Sequence, residues 1–257
     1  MAVKDKKRTG VVPTLVSVVI LLVIWQIAAL VVGQDIILVA PAQVVTTLIA
    51  LVPEGSFWAT IAASLVRIVV GFLVAFVVGT LTAWLASVNR WLGAFMSTTM
   101  RLIRSIPVVS FIILLLIWAN STYLSLWVSF LMVVPVVFSN AEEGFANRDI
   151  KLVQMAQVFG FSAGQRWWAI AVPTLMPYLI AATRVGFGLA WKAGISAEVI
   201  GMPRGSIGER LYQAKVYLST ADLFAWTAVI VALSYICEKL ALWGLRGTQA
   251  GLKRYAS

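Results

Sequence analysis

The stretch SIPVVSFIILLLIWANSTYLSLWVSFLMVVPVVFSNA (residues 105–141) is 37 residues long and carries no charged side chain. About 20 apolar residues cross a bilayer core as a helix, so the stretch can hold two spans separated by a turn at residues 120–122. Further charge-free runs cover residues 11–32 and 68–88. Because backbone polar groups cannot stay unpaired in lipid, and these runs do not alternate as barrel strands do, the sequence predicts an all-α polytopic membrane protein.

Extending the same reading along the chain predicts six transmembrane helices in one domain, residues 1–257. The predicted spans are residues 11–32, 58–88, 102–119, 123–140, 173–195 and 223–245. Between the first two spans, one helical face carries Val44, Val45, Leu48, Ile49 and Val52. It predicts a short helix that either lies on the membrane surface or packs on the bundle.

The distribution of lysine and arginine predicts the orientation, because cytoplasmic segments of membrane proteins are enriched in both. Fourteen of the 20 basic residues fall on the side of the amino terminus: Lys4, Lys6, Lys7, Arg8, Arg90, Arg101, Arg104, Arg148, Lys151, Arg166, Lys239, Arg246, Lys253 and Arg254. Both termini are therefore expected in the cytoplasm, with a cytoplasmic tail at residues 1–10, a cytoplasmic loop at 141–172 and an extracytoplasmic loop at 196–222. This topology accounts for the net charge of +10, and no basic stripe with interleaved aromatic residues points to nucleic acid.

The loop of residues 141–172 is longer than a plain connection between spans requires. Asp149 is placed to cap a short helix that runs to Phe159, and Gly160 then supplies a turn. Ser162 and Gln165 have the spacing of a capping box for a second short helix. The loop is predicted to be a protruding helical hairpin on which a partner can dock.

The same loop carries a sequence signature that resembles importer permeases of the ATP-binding cassette (ABC) class. In those proteins Glu-Ala-Ala is followed after three residues by Gly and after nine more by Ile-x-Leu-Pro. The matching positions here, which the resemblance implies contact an ATPase, are Gln154, Met155, Ala156, Gly160, Ile170, Val172 and Pro173, with Ser162 inside the motif. The spacing matches at every element, while Gln replaces Glu, Met replaces Ala and Val replaces Leu.

The resemblance extends over residues 40–245 and is specific to the nitrate, sulfonate and taurine branch. It includes SLVRIVVGF (64–72), RSIP (104–107), SNAEEG (139–144), PTLMPYLIAATR (173–184) and AE (197–198). The resemblance implies the type I ABC importer permease fold with a cytoplasmic coupling helix, in the bacterial inner membrane. It also implies a second permease copy, two cytoplasmic ABC ATPase subunits that bind ATP and Mg²⁺, and an extracytoplasmic solute-binding protein. The expected solute is a small organic or inorganic anion, such as a sulfonate or nitrate, or a vitamin precursor.

Two other function classes remain as alternatives. An ATP-independent channel or secondary transporter would also be polytopic, but no clear internal repeat relates the two halves. A membrane enzyme would need clustered catalytic side chains, whereas histidine is absent and the ten acidic residues are scattered. No lysine follows a glycine, so the chain lacks a phosphate-binding loop, and no metal or cofactor is expected to bind to it.

Three charged residues near the fifth span are candidates for a substrate path. Arg184 and Lys192 lie within the span, where a cation either faces a water-filled path or reaches toward the surface. Glu198 follows the span and is expected to pair with Lys192 or Arg204. In the second span, small residues recur at every fourth position from Ala59 to Ser87, interrupted by Arg67. They favour close helix packing, either within the chain or against a second copy.

Overall fold

The structure, a computed structural model, describes residues 11–255 and is helical in every regular element of that range. Five helices are long and apolar enough to cross a membrane, and a bent pair of helices raises that number to six. The predicted all-α polytopic class is therefore confirmed. The basic residues at positions 4–8 lie outside the described residues, as does the predicted tail.

The helices follow one another along the chain with short connections. They are α1 (Val11–Val32), α2 (Pro41–Leu51), α3 (Gly55–Val88), α4 (Arg90–Ser105), α5 (Val108–Trp118), α6 (Leu124–Ala146), α7 (Ile150–Val158), α8 (Ala163–Arg166), α9 (Val172–Gly201), α10 (Ile207–Val216) and α11 (Thr220–Tyr255). A 3₁₀ turn (Ser121–Tyr123) precedes α6 and a π-helical turn (Trp167–Ala171) precedes α9. The predicted first span and the predicted turn at residues 120–122 are both confirmed.

The chain divides into two compact units, of which the first comprises residues up to 58 together with 210–228. Its core joins α2 to the start of α11 through the buried side chains of Val39, Val44 and Ala225. The indole N–H of Trp25 in α1 donates to the carbonyl oxygen of Val39 at 3.0 Å. Only part of the predicted apolar face of α2 is used in this packing, because Val44 is buried while three others, Val45, Ile49 and Val52, are exposed.

The second unit comprises residues 59–209 together with those after 228, and α6 packed along α9 forms its centre. One buried cluster brings together Ile112 of α5, Leu124 and Val128 of α6, and Ala193 and Ala197 of α9. Apolar side chains enclosed between helices in this way exclude both lipid and water from the bundle interior.

Two glycines of α3 allow that helix to lie against α6. A Cβ atom on Gly71 would meet the backbone of Leu126, and one on Gly79 would meet Val134 and Val137. Small residues permit this approach of helix backbones. At these positions the small-residue pattern therefore serves packing within the chain.

The predicted third span, residues 102–119, is wrong as a continuous helix. Helices α4 and α5 are separate and meet at an angle of 98°. Pro107 lacks a backbone N–H, and Ile106 before it adopts an extended conformation with φ −80° and ψ 128°. Helical backbone angles are disfavoured for the residue before a proline, so the chain bends at Ile106. Hydropathy averaged along the sequence nevertheless indicates a single span here.

The predicted fifth span is too short at both ends. Helix α9 extends to Gly201, beyond the predicted end at residue 195. On the other side, α8 is only four residues long and continues through the π-helical turn into α9, so the predicted second short helix is not a separate element. Within the predicted extracytoplasmic loop of residues 196–222, the end of α9 and all of α10 are helical.

Candidate functional sites

The segment of residues 149–173, called the α7 segment below, begins with the predicted capped helix. The side chain of Asp149 accepts a hydrogen bond from the backbone N–H of Lys151 at 2.9 Å. At the other end Gly160 has a φ of +71°, and the N–H of Phe161 donates to the carbonyl of Ala156 at 2.9 Å. This is the left-handed glycine ending expected from the sequence, and it turns the chain away from α7.

The second half of the segment contains the predicted capping box. The hydroxyl of Ser162 accepts from the backbone N–H of Gln165 at 3.3 Å, and the Gln165 side chain accepts from the Ser162 N–H at 2.8 Å. In the π-helical turn that follows, the N–H of Val172 donates to the carbonyl of Trp167, five residues back. Because Pro173 has no N–H, it cannot continue the α-helical pattern of hydrogen bonds to the carbonyl four residues back. This accounts for the wider π-helical turn at this point.

Trp167 anchors the α7 segment to the membrane-spanning helices. Its ring stacks on Phe145 of α6 at 6.0 Å and meets Trp84 of α3 edge-on at 6.2 Å, both between ring centroids. The guanidinium of Arg148 lies 5.0 Å from the centroid of the Phe145 ring. Trp168, the next residue, is 63% exposed. The sequence alone does not distinguish the anchored tryptophan from the exposed one.

The signature positions divide into exposed and buried sets. Gln154, Met155, Gly160 and Ser162 are exposed, Ala156 and Ile170 are buried, and Pro173 is partly buried. Helix α7 therefore rests on the protein through Ala156, while most of its other positions are exposed. This exposed surface of α7 and of its C-terminal cap, called the outward face of α7 below, carries the apolar side chains of Leu152, Met155, Val158 and Phe159, next to Gln154.

A second site forms around Glu198, in the last turn of α9, whose side chain is fully buried. Its carboxylate accepts hydrogen bonds from the hydroxyls of Ser64 (2.7 Å) and Ser125 (3.2 Å) and from the backbone N–H of Gly208 (3.2 Å). Arg67 Nη1 lies 3.5 Å from the same carboxylate. The cluster thus joins three membrane-spanning helices to the first turn of α10.

The expected pairing of Glu198 with Lys192 or Arg204 is wrong, because its ionic partner is Arg67. Helix α9 does not break at Gly194, so Lys192 and Glu198 stay on different faces, and Arg204 is exposed. One feature of the sequence indicated that Arg67 takes part in an ion pair. Arg67 interrupts an apolar span, and a cation inside a membrane requires a partner.

Arg184 and Lys192 lie in two separate clefts on another side of α9. Both are exposed in the described chain, and each lines a cleft between α9 and α11. Tyr235 and Glu238 of α11 line both clefts, so the two clefts are adjacent to each other. Glu198 lines neither cleft.

Comparison with known proteins agrees with this architecture. Residues 71–238 match the model of the family described as binding-protein-dependent transport system inner membrane component. The taurine transport system permease protein TauC of Escherichia coli (strain K12) is 27% identical over 241 residues, which cover 91% of this chain and 86% of that protein.

Two further relatives have similar coverage. The putative aliphatic sulfonates transport permease protein SsuC of Bacillus subtilis (strain 168) is 24% identical over 91% of this chain and 85% of its own length. The nitrate import permease protein NrtB of Synechococcus elongatus is 26% identical over 94% of this chain and 91% of its own length.

The chain belongs to the family of binding-protein-dependent transport system inner membrane components. It is therefore an ABC importer permease, a transport component rather than a catalytic one, and a multi-pass protein of the bacterial inner membrane. The matched region includes the α7 segment, Glu198 and the cleft that contains Lys192, whereas the cleft that contains Arg184 extends beyond it to Arg246.

Proposed function

We propose that this chain is the permease subunit of an ATP-driven importer and forms, with a second copy of itself, the path for a small solute that carries an anionic group. A solute-binding protein delivers the solute outside the cell, and two cytoplasmic ATPase subunits supply the energy. Both termini and the α7 segment face the cytoplasm, as the distribution of basic residues predicts.

The outward face of α7 is the observation that carries the ATPase contact. Exposed apolar side chains that lie together on a protein surface are typical of a protein docking site. Val158 is 85% exposed and Phe159 is 73% exposed, while Ala156 is buried. ATP and Mg²⁺ bind to the partner ATPase, because this sequence has no phosphate-binding loop of its own.

The α7 segment also provides a route from that docking face to the membrane. Displacement of α7 would act on α8, the π-helical turn and α9, which form one continuous helical run from Ala163 to Gly201. Trp167 packs on α3 and α6 at the start of this run. We assign the coupling function to Gln154, Met155, Ala156, Gly160, Ser162, Ile170 and Pro173.

The exposed cations of α9 support a path along the clefts. Charged side chains in membrane-spanning segments are costly in lipid and face the bundle interior or a water-filled cavity. Arg184 and Lys192 occupy such segments on an exposed side of the single chain. A second permease copy covering this side would enclose both cations, and they would then attract an anionic group. The substrates named for the relatives, taurine, sulfonates and nitrate, agree with this choice.

The test is uptake by proteoliposomes that contain the purified chain. With the cognate ATPase inside and the cognate solute-binding protein outside, labelled solute should accumulate only when ATP is enclosed. Uptake that proceeds without ATP and without the ATPase would instead identify an ATP-independent channel or secondary transporter.

A further inference from the structure

We infer that a cavity at the α7 segment, called the arginine cavity below, binds the phosphate group of an anionic phospholipid between the guanidinium groups of Arg148 and Arg166. None of the residues that line this cavity lines the clefts proposed for the solute path. The inference does not rest on the proposed function, because it requires only that the chain spans a membrane.

Two cations from separate elements line the arginine cavity. Arg148 follows the end of α6 and Arg166 ends α8, yet both line one cavity of about 190 Å³. Apolar residues form the rest of its wall, among them Val153 of α7 and Trp167 and Ile170 of the π-helical turn. No acidic residue of the described chain lines it. A concave site with one sign of charge and apolar walls concentrates the opposite charge, so this cavity favours an anion.

The chain does not supply that anion itself. Neither Arg148 nor Arg166 takes part in an ion pair in the part of the chain that the structure describes. Asp149, the carboxylate next to Arg148 in the sequence, caps α7 by accepting the N–H of Lys151 and does not line the cavity. The enclosed Nε of Arg166 has no hydrogen-bond partner among residues 11–255. Because buried donors are normally satisfied, the guanidinium of Arg166 is incompletely paired by its own chain.

Arg148 is held in place before any ligand arrives. Its Nε donates to the carbonyl oxygen of Phe145 at 2.9 Å, and its Nη2 donates to the hydroxyl of Ser87 at 3.3 Å. Its Nη1 takes no part in these contacts. A guanidinium that is already oriented loses little side-chain freedom on binding, and its planar geometry matches the oxygens of a phosphate.

The position of the arginine cavity corresponds to the headgroup layer of the membrane. Arg148 bonds to Ser87 near the end of α3 and to Phe145 near the end of α6, and both helices span the membrane. Trp167 lines the cavity, and tryptophan is enriched where a membrane meets water. Basic pockets between membrane-spanning helices bind anionic lipid headgroups at this level.

The size of the cavity and the surface beside it favour a lipid over a free ion or a soluble molecule. Sites that enclose a whole small molecule span about 300 to 1,000 Å³, so this smaller cavity suits one polar group whose remainder lies outside. Trp167 meets Trp84 of α3, and the exposed apolar side chains near it along that helix are Leu81, Leu85 and Val88. Acyl chains can lie on this surface while the phosphate occupies the cavity, whereas inorganic phosphate gains nothing from it.

The experiment measures lipid binding to the purified full chain in a neutral detergent by native mass spectrometry. The probes are dioctanoyl phosphatidylglycerol, which is anionic, and dioctanoyl phosphatidylcholine, whose choline cancels the phosphate charge. We expect phosphatidylglycerol to bind at least about tenfold more tightly, because only its headgroup brings a net charge opposite to that of the two arginines. Equal affinity for the two lipids would overturn the inference without recourse to any variant.

Inorganic phosphate, added in large excess to the chain with bound phosphatidylglycerol, distinguishes the two sources of a phosphate group. Retention of the lipid supports the inference, because the acyl chains add apolar contacts that the ion lacks. Displacement of the lipid by inorganic phosphate would identify a site for a free anion and would contradict the assignment to a phospholipid.

Variants locate the lipid in the arginine cavity. Arg148→Gln and Arg166→Gln should each weaken phosphatidylglycerol binding about tenfold or more, since each removes a charge-assisted hydrogen bond. The matched control is Arg90→Gln, at an exposed position of α4 outside the cavity, which should leave the affinity nearly unchanged. Thermal unfolding checks that each variant is folded, and if Arg148→Gln is not, Arg166→Gln decides alone. Equal losses in the control and in the cavity variants would show binding to basic surfaces in general and would refute the site.

The other candidate for the arginine cavity is a carboxylate of the proposed ATPase partner. Addition of the ATPase subunits to the chain with bound phosphatidylglycerol separates the two occupants. The lipid should stay bound in the assembled complex. Its release on assembly would assign the cavity to the ATPase interface and would overturn the inference.

Discussion

The guanidinium group of Arg67 lies 3.5 Å from the carboxylate of Glu198, and together they join α3 to the last turn of α9. The same carboxylate accepts the backbone N–H of Gly208, in the first turn of α10, and the hydroxyl of Ser64 accepts the N–H of Ile207. The first turn of α10 is thus tied to the membrane-spanning bundle by one buried acidic group and by the serine that donates to it.

Replacement of Glu198 by leucine should destabilise the protein strongly. The substitution leaves Arg67 without its ionic partner in a site where its side chain is only 14% exposed. Breaking a buried pair from one side costs about 3 to 5 kcal/mol, because the remaining charge is desolvated without compensation. Thermal and denaturant unfolding of the purified chain in detergent would measure the loss.

The double variant Arg67→Met with Glu198→Leu is the control for that interpretation. Removal of both charges should restore part of the free energy of unfolding, since no uncompensated ion remains. If the double variant were as unstable as the sum of the two single variants, the ionic contact would not be the cause.

Replacement of Gly208 by alanine should also destabilise the protein. A Cβ atom at Gly208 would collide with the backbone and Cβ of Glu198. Inserting a methyl group into a packed site costs about 1 to 3 kcal/mol. The matched control is Gly244→Ala in α11, where a Cβ meets nothing within 4 Å and the helix should gain about 0.5 to 1 kcal/mol. The account would be wrong if both variants had the same effect in unfolding experiments.

The sequence predicted those features that depend on local chemistry. Residue type and spacing were sufficient for four of them, because tertiary contacts do not override the local preference there. They are the bounds of α1, the helix cap at Asp149, the left-handed turn at Gly160 and the capping box at Ser162. The bend at Pro107 was missed although the proline was visible, because a hydropathy pattern measures composition and not backbone geometry.

Contacts between distant segments could not be predicted in the same way. The partner of Glu198 is 131 positions away, at Arg67, and only the packing of α3 against α9 brings them together. The anchored role of Trp167 likewise depends on Phe145 and Trp84. A single sequence shows that an intramembrane charge needs a partner, but which partner it finds is set by the fold.

The two adjacent tryptophans of the α7 segment should differ sharply on substitution. Trp167→Ala removes the packing on Phe145 and Trp84, which should lower stability by about 2 kcal/mol and reduce ATP-driven uptake severalfold. Trp168→Ala, at the 63% exposed position, should leave both nearly unchanged. Uptake and unfolding measured in parallel would check this, and equal losses from the two variants would refute the anchoring role.

Replacement of Gly160 by leucine should uncouple transport from ATP hydrolysis. A Cβ at this position meets nothing within 4 Å, so the cost arises from a φ of +71°, and a single left-handed residue costs about 1 to 2 kcal/mol. The protein should therefore still fold, but with the end of α7 turned differently. We expect loss of transport-stimulated ATP hydrolysis in the reconstituted complex.

The control for that variant is Gly164→Leu in α8, which also has open space around its Cβ but ordinary helical geometry. It should retain stimulated hydrolysis. Wild-type stimulation in the Gly160→Leu complex would remove the turn from the coupling route.

The most direct test of the central claim, that the outward face of α7 docks on the ATPase, is site-directed crosslinking in membranes. The single natural cysteine is first replaced by Cys237→Ser, and cysteine is then introduced at Val158, which is 85% exposed. A short thiol-to-amine crosslinker should join this position to the ATPase subunit, whereas cysteine at the exposed Val231 of α11 should give no such product. Absence of the Val158 crosslink in a complex that still hydrolyses ATP and transports solute would contradict the account.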